Sequence, residues 1–123
     1  MLELAREGAR EGIWLRAEHQ SAGRGRMGRQ WEGEAGNLYA STLVRLQAND
    51  PPAPTLALVA AVAVHDALEA AAPDADLRIK WPNDIMARSA KLAGMLLERT
   101  GDAIVIGAMT RHADVASSKD VRA

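Results

Sequence analysis

Apolar and polar positions alternate along two stretches of the chain, and this alternation predicts β-strands that bury one face. In residues 13–19 the first three odd-numbered positions are aliphatic and the positions between them are bulkier or charged. Residues 38–46 alternate in the same way and follow the turn signal Gly36-Asn37. We therefore predict two half-buried strands, one on each side of a segment rich in glycine and arginine.

Two further stretches have the composition of helices. Residues 2–11 are good helix formers and are followed by Gly12, so we predict a short helix there. A long run of Ala, Val and Leu extends from the N-cap candidate Thr55 to Pro73. This run is apolar nearly all round, because its narrow polar stripe consists only of His65, Asp66 and Glu69. We expect the long helix to pack against a sheet over most of its circumference.

The second half of the chain predicts short strands and a hairpin. Residues 77–80 and 85–87 have the character of strands and flank a turn at 81–84. Residues 91–98 and 103–106 flank a Thr-Gly-Asp turn, which predicts a β-hairpin.

Apolar periodicity ends after Gly107. The remaining residues are rich in Ser, Asp, Arg and Lys. We therefore predict one folded domain at 1–107 and a tail at 108–123. The tail is either disordered or foreign to the fold, as a frameshift would make it.

Composition narrows the class of protein. The 123 residues suit one domain, and the formal net charge of −1 provides no global field that would attract nucleic acid. The chain has no cysteine, which excludes disulfides and thiol chemistry. No apolar run is long enough to span a bilayer, and the N-terminus does not resemble a signal peptide. We expect a soluble, cytoplasmic protein.

The candidate chemistry begins with the Gly/Arg loop, residues 23–29. Its seven residues contain three glycines and three arginines, and Trp31 follows closely. Glycine allows close approach of the backbone to a ligand, and arginine offers paired N–H donors to phosphate or carboxylate. Anion binding is favoured over a solvated basic loop. It is also favoured over RNA binding, because only three Trp, one Tyr and no Phe could stack on bases.

Two other segments carry polar residues on rigid backbone. In residues 80–84, Lys-Trp-Pro-Asn-Asp, the proline restricts the turn that presents Asn83 and Asp84. In residues 91–98, Lys91 opens a strand and Gly94 marks a close backbone approach. Taken singly, the first is an ordinary Asn-Asp turn and the second a surface lysine on an edge strand. The three histidines lack the spacing of metal ligands.

In this order, the three motifs resemble those of the catalytic domain of biotin protein ligases. The family's Gly-Arg-Gly-Arg-x-Gly-Arg loop with a following Trp matches residues 23–31, and its Lys-Trp-Pro-Asn-Asp motif matches residues 80–84. Its Lys-Leu-x-Gly-x-Leu-x-Glu motif matches residues 91–98. The resemblance covers residues 2–107. It implies an α+β fold related to class II aminoacyl-tRNA synthetases, with a mixed, mostly antiparallel sheet and helices on one face.

The resemblance also implies a reaction and the residues that perform it. Biotin is activated by ATP, with Mg²⁺, as biotinyl-5′-AMP and is transferred to a lysine of the biotin carboxyl carrier domain of a carboxylase. Lys91 and Arg26 are the implied catalytic cations. The implied biotin and adenylate contacts are Gln20, Gly23, Arg24, Gly25, Arg26, Arg29, Lys91 and Gly94. The implied ATP contacts are Trp31, which stacks on adenine, Asn83, and Asp84, which is the candidate for acting through Mg²⁺.

The chain departs from the family pattern at several points. Met27 stands where many members carry arginine, and the strand with a Ser-Thr-Asn segment that lines the biotin pocket has no counterpart in residues 1–11. The pattern also breaks after Gly107, and no helix-turn-helix precedes the domain, which favours a ligase without a DNA-binding role. An inactive biotin- or adenylate-binding fragment and an RNA-binding module remain alternatives. The family often pairs through sheet edges, so a homodimer is a further expectation.

Overall fold

A computed structural model describes residues 1–33 and 35–111, with only the backbone of Trp31 and Glu32. The chain order of its elements is α1 (Leu2–Arg6), β1 (Trp14–Ala17), β2 (Gln20–Arg24), a 3₁₀ turn (Arg26–Gly28), β3 (Gln30–Gly33), β4 (Leu38–Arg45), α2 (Thr55–Ala71), β5 (Leu77–Lys80), β6 (Asp84–Ala87), β7 (Ala90–Thr100) and β8 (Ala103–Thr110). The predicted strands, the turn at 81–84 and the β7–β8 hairpin are confirmed.

Six strands form the main sheet in the order β1-β4-β8-β7-β6-β5, and β2 pairs with β3 in a separate ribbon. Every pair within the described residues is antiparallel. The predicted α+β class with an antiparallel sheet is confirmed. The strands meet out of chain order, since β4 joins β8 although more than fifty residues separate them.

The two helices pack on opposite faces of the main sheet. Strand register shows this, because Met95 lies opposite Ala108 while Val105 lies opposite Glu98. Met95 and Ala108 pack in the α2 cluster, and Val105 packs with Ala5 of α1. The expectation that helices lie on one face is therefore wrong for α1. The face that α1 only partly covers is the one that carries the predicted site residues.

The long helix α2 buries less of its surface than its composition predicts. Only Ala60 and Ala61 are buried, and Leu58, Val59 and Val62 are 44%, 57% and 50% exposed. Its main contacts are with β5, β6 and β7, so one side of the helix packs and the other does not. The expected burial over most of the circumference is wrong. The helix begins at Thr55 after Pro54, so Thr55 is not the N-cap.

Element ends differ from the sequence predictions at three places. Helix α1 ends at Arg6 instead of residue 11, and Gly8 with φ of 87° turns the chain away. Strand β1 is exposed instead of half-buried, because it is an outer strand of the sheet. Strand β8 continues to Thr110 and pairs with β4 and β7 there, so the predicted tail does not begin at residue 108. Residues 112–123 of that tail lie outside the described residues.

Arg45 joins α1 and the segment after it to the sheet. Its guanidinium donates to the carbonyl oxygens of Ala5, at 2.9 Å, and Ala9, at 2.7 Å, and pairs with Asp102 at 2.8 Å. These carbonyls belong to the C-terminal end of α1 and the turn beyond it, where helical N–H donors run out; Ala5 O also accepts from Gly8 N–H at 3.2 Å. A cation at this end also interacts favourably with the helix dipole. Among the described residues, no helix is long and apolar enough to cross a membrane.

Candidate active site

The three sequence motifs converge on one cleft of about 1050 Å³, on the face of the sheet that α1 borders. The β2–β3 ribbon with the Gly/Arg loop forms one wall of the cleft. The turn after β5 and the start of β7 form a second wall, and α1 forms a third. The sequence-predicted residues that line the cleft are Gln20, Gly23, Arg24, Gly25, Arg26, Arg29, Asn83, Asp84, Lys91 and Gly94. Trp31 pairs through its backbone with Gly23, and its side chain lies outside the described part of the chain.

The Gly/Arg loop connects β2 and β3 in a compact turn. The backbone N–H of Gly25 donates to Arg29 O at 2.7 Å, and Arg29 N–H donates to Arg26 O at 3.3 Å. The turn requires two consecutive left-handed residues, Met27 with φ of 59° and Gly28 with φ of 71°. Only the second of them is a glycine, which adopts this conformation without a steric penalty. Met27 stands at the tip with 91% of its surface exposed.

A glycine outside the predicted set holds the base of the ribbon together. Gly33 lies opposite Gln20 in the β2–β3 pairing, and a Cβ on Gly33 would collide with the Gln20 backbone oxygen and nitrogen. The close approach explains why Gly33 is needed. In the sequence, Gly33 carries no signal beyond its place two residues after Trp31, because its need depends on the pairing with Gln20.

Asn83 occupies the turn between β5 and β6, and the turn binds β7 through both its backbone and its side chain. Met95 N–H donates to Asn83 O at 2.9 Å, and the Asn83 side-chain amide donates to Met95 O at 2.5 Å. The Asn83 side-chain oxygen faces the Gly/Arg loop and accepts from Arg26 at 3.4 Å. Asn83 is therefore a junction between the loop and the sheet, whereas the sequence indicated only a turn. Trp81, in the same motif, is 74% exposed.

Lys91 and Asp84 form an ion pair across β6 and β7. Lys91 Nζ lies 3.0 Å from Asp84 Oδ1, with about a third of each side chain exposed to solvent. Gly94 lies opposite Asp84 in the strand pairing, and a Cβ at Gly94 would lie 3.1 Å from Lys91 Nζ. The space over Gly94 is thus the space that the lysine amine occupies. A bulge after Ile85 shifts the register of β6 against β7 just where Lys91 stands.

A third cation of the cleft is near a carboxylate. The Arg24 guanidinium lies 4.0 Å from the Glu98 carboxylate. Glu98 is on the same face of β7 as Gly94. Both side chains are well exposed, so this pair contributes little to stability. Arg29 also lines the cleft. The site therefore combines several positive groups in a space open to solvent, which suits a ligand with negative charge.

The strands below the cleft also line it, mostly with residues outside the three motifs. They are Tyr39 and Ser41 of β4, Gly107 and Met109 of β8, and Leu96 of β7, which belongs to the motif at 91–98. Tyr39 is 2% exposed, and its hydroxyl accepts a hydrogen bond from the Asn37 amide at 3.2 Å. The alternation of β4 was visible in the sequence, but which of its two faces lines a site depends on the strand order. Met1, Leu2, Glu3 and Arg6 of α1 complete the wall.

The donor set for a metal is small. Within the described residues, no group of three or more His, Cys, Asp or Glu side chains could hold an ion. Asp84 and Glu98 both line the cleft and belong to predicted motifs; Asp84 pairs with Lys91, and Glu98 lies 4.0 Å from Arg24. Mg²⁺ often uses one or two carboxylates together with substrate phosphates, so a single carboxylate fits an ion that arrives with a nucleotide.

Comparison with known proteins agrees with this geometry. The sequence pattern of the biotin/lipoate A/B protein ligase family matches residues 7–110. A biotin--[acetyl-CoA-carboxylase] ligase of Paracoccus denitrificans is 47% identical over 89 residues, which are 72% of this chain and 37% of that protein. The bifunctional ligase/repressor BirA of Escherichia coli is 46% identical over 98 residues, 75% of this chain and 30% of that protein. The chain spans about a third of the length of these two relatives.

Solved structures show the same fold. The biotin protein ligase from Aquifex aeolicus in complex with biotin and ATP superposes with a TM-score of 0.79 at 32% identity, over 89% of this chain and 47% of that one. The biotin protein ligase from Leishmania major in complex with biotin gives 0.76 at 29% identity, over 89% of this chain and 50% of that one. The family pattern covers well over half of the chain and the fold agrees with it, so this chain belongs to the biotin/lipoate A/B protein ligase family.

Proposed function

We propose that this chain carries the adenylate-forming site of a biotin protein ligase. The observation that carries the proposal is the junction formed by Asn83 and Asp84, which brings Arg26 and Lys91 to one cleft. Two relatives of this fold are described in complexes with biotin, one of them together with ATP. Biotin and ATP both carry negative charge, and a cleft with several cations suits them.

The first reaction joins two anions. An oxygen of the biotin carboxylate attacks the α-phosphorus of ATP, the bond from that phosphorus to the pyrophosphate oxygen breaks, and biotinyl-5′-AMP and pyrophosphate result. Cations in the cleft offset the repulsion between carboxylate and phosphate and the charge that develops as the pyrophosphate leaves. Lys91 and Arg26 are proposed for this role.

The second reaction transfers biotin to a protein. A neutral lysine amine of a carrier domain attacks the carbonyl carbon of the mixed anhydride, the carbon–oxygen bond to AMP breaks, and the amine loses a proton as the amide forms. The proposed partner is the biotin carboxyl carrier domain of a carboxylase. Because the cleft is open to solvent on one side, the carrier lysine has a path to it.

The remaining predicted residues divide between the two ligands. Gln20, Gly23, Gly25 and Gly94 are proposed for the biotin side, and Trp31, Asn83 and Asp84 are proposed for the nucleotide side. Arg24 and Arg29 are proposed for the phosphate. Closure of the loop over the adenylate would exclude water, which would otherwise hydrolyse the anhydride.

Mg²⁺ is proposed to enter with ATP. Asp84 would hold it together with the substrate phosphates, and the ion would supply positive charge against the leaving pyrophosphate. In the described structure Asp84 already pairs with Lys91, so its carboxylate serves the lysine before any ion arrives.

Biotin-dependent exchange of labelled pyrophosphate into ATP tests the proposal. Exchange by this chain, lost in Lys91→Ala and in Arg26→Ala, supports it. Exchange that persists in Lys91→Ala refutes the role of that lysine. Absence of exchange with calorimetric binding of biotin identifies an inactive binding fragment. Binding of RNA with a steep salt dependence, and none of biotin, identifies an RNA-binding module.

A further inference from the structure

Asn83 stands apart from the polar residues around it because it is buried. Among the residues whose side chains the structure describes, Asn83 is the one polar residue that is buried, with 8% exposure. A buried amide is costly unless its groups are hydrogen-bonded. The side-chain N–H of Asn83 donates to Met95 O, and the side-chain oxygen accepts from Arg26. The backbone oxygen of Asn83 accepts from Met95 N–H. The sheet holds Asn83 in place, and the side-chain oxygen is the part that faces the loop.

The partner that Asn83 offers to Arg26 is electrically neutral. Two other cations of the cleft have carboxylate partners, since Lys91 pairs with Asp84 and Arg24 lies near Glu98. Among the described side chains, no carboxylate lies within ion-pair distance of Arg26. An amide oxygen orients a guanidinium without cancelling its charge, whereas a carboxylate would do both.

We propose that Asn83 is a positioning residue that holds Arg26 at the cleft through a neutral acceptor and so leaves the arginine's charge available to an anionic substrate. The proposal rests on the proposed function and makes it more specific. It replaces a direct contact of Asn83 with the nucleotide by an indirect role through Arg26, because a residue with 8% exposure has little surface for a nucleotide to touch. Arg26 itself is exposed and can reach the ligand.

Two variants at one position separate orientation from charge. Asn83→Ala and Asn83→Asp both lose the donor to Met95 O. The second variant also places a carboxylate oxygen against that carbonyl, so the free energy of unfolding is measured separately for each variant. Toward Arg26 the first variant offers no acceptor and the second offers a carboxylate, and the comparison of loop cleavage and exchange tests this difference.

Each variant is measured in two ways. Limited trypsin digestion, followed at the bonds after Arg24 and Arg29, reports how firmly the loop is held without any ligand. Biotin-dependent pyrophosphate exchange reports the chemistry, and chemical denaturation reports whether the variants fold.

We expect Asn83→Ala to be cleaved faster than the unchanged chain and to lose exchange mainly through a higher KM for ATP. We expect Asn83→Asp to be cleaved more slowly than Asn83→Ala, yet to exchange about tenfold more slowly than it, because the carboxylate neutralises the arginine. The result that distinguishes the proposal is an Asn83→Asp variant whose loop resists trypsin while its pyrophosphate exchange is lower than that of Asn83→Ala. Equal cleavage of the two variants, or exchange in Asn83→Asp at or above the level of Asn83→Ala, would overturn the proposal.

A second variant avoids the buried position altogether. Arg26→Gln carries no charge but has an N–H donor, two bonds closer to the backbone than the Nη1 that contacts Asn83, and Arg26 is exposed, so the fold is not at risk. We expect cleavage after Arg24 and Arg29 slower than in Arg26→Ala, with exchange reduced at least about tenfold. Cleavage as fast as in Arg26→Ala, or retained exchange, would contradict the proposal.

The two readouts also keep the failures apart. If the unchanged chain shows no exchange, the proposed function fails, while trypsin cleavage still tests whether Asn83 holds Arg26. If the unchanged chain exchanges but trypsin cleaves the Asn83→Ala loop no faster, the role of Asn83 fails and the proposed function stands.

Discussion

Lys91 and Gly94 are coupled by space: the amine of Lys91 occupies the volume that a side chain at Gly94 would need. A Cβ at Gly94 would lie 3.0 Å from Lys91 Cε and 3.1 Å from Nζ, and Asp84 holds the same amine at 3.0 Å. The glycine therefore serves the lysine, in addition to any contact with biotin.

Gly94→Ala is expected to impair the reaction more than the fold. The new methyl meets the flexible end of Lys91 instead of backbone, so the lysine moves and the change in the free energy of unfolding stays below about 1 kcal/mol. Pyrophosphate exchange falls by about tenfold or more, because a displaced cation no longer meets the developing charge. Gly107→Ala is the control for stability, since its Cβ would lie at an ordinary 3.7 Å from Leu96 O. Normal exchange in Gly94→Ala would show that the space over Gly94 is not needed.

Asp84→Asn tests whether Asp84 acts through Lys91. The pair is partly exposed, so the loss of its charge attraction costs only about 0–1 kcal/mol of stability. Exchange nevertheless falls, because Lys91 loses the partner that directs it. In a double-mutant cycle with Lys91→Ala, the second substitution adds little to the first. Fully additive effects, measured as ratios of kcat/KM for ATP, would mean that Asp84 serves the reaction independently of Lys91.

Gly33→Ala is expected to weaken the β2–β3 ribbon. The added methyl overlaps the backbone of Gln20, which cannot move without breaking the strand pairing. We expect a loss of about 1–3 kcal/mol, measured by urea denaturation, and faster trypsin cleavage in the Gly/Arg loop. Gly25→Ala is the matched control, because its φ of −97° suits any residue and its Cβ would lie 3.5 Å from Arg29 O. Equal stability of the two variants would contradict the crowding at Gly33.

Arg45→Met removes the donor that ties α1 to the sheet. The Ala9 carbonyl loses its guanidinium donor and the Ala5 carbonyl keeps the Gly8 N–H, both in a part-buried environment, and the expected cost is about 1–2 kcal/mol in the free energy of unfolding. Arg16→Met is the control, since the pair of Arg16 with Glu18 is exposed and its loss costs less than about 1 kcal/mol. Because α1 forms a wall of the cleft, Arg45→Met also weakens biotin binding, which calorimetry measures. Similar denaturation midpoints for the two variants would refute this role for Arg45.

Much of the site could be predicted from the sequence because its residues lie in short motifs. Lys80 to Asp84 and Lys91 to Glu98 need only a turn and one pair of neighbouring strands to meet, and local patterning supplies both. The Gly/Arg loop likewise joins two strands that are adjacent in the chain. Chemistry that depends on such short-range neighbours is visible in the order of the residues.

Other features depended on contacts between distant segments. The alternation along β4 marks two faces, but whether Tyr39 or Ala40 faces the cleft is decided by the pairing of β4 with β8. The composition of α2 indicated burial over most of its circumference, yet Leu58, Val59 and Val62 are exposed, because the strands that α2 mainly contacts lie on one side of it.

The sequence by itself determined the three motifs, the antiparallel hairpins and the positive charge of the loop, since each follows from residues near one another in the chain. Only the tertiary structure decided that Asn83 is buried against Met95, that Asp84 holds Lys91 over Gly94, and that α1 and α2 lie on opposite faces. Those relationships arise when strands separated along the chain are brought together, and the backbone hydrogen bonds that do so carry no signature in any single segment.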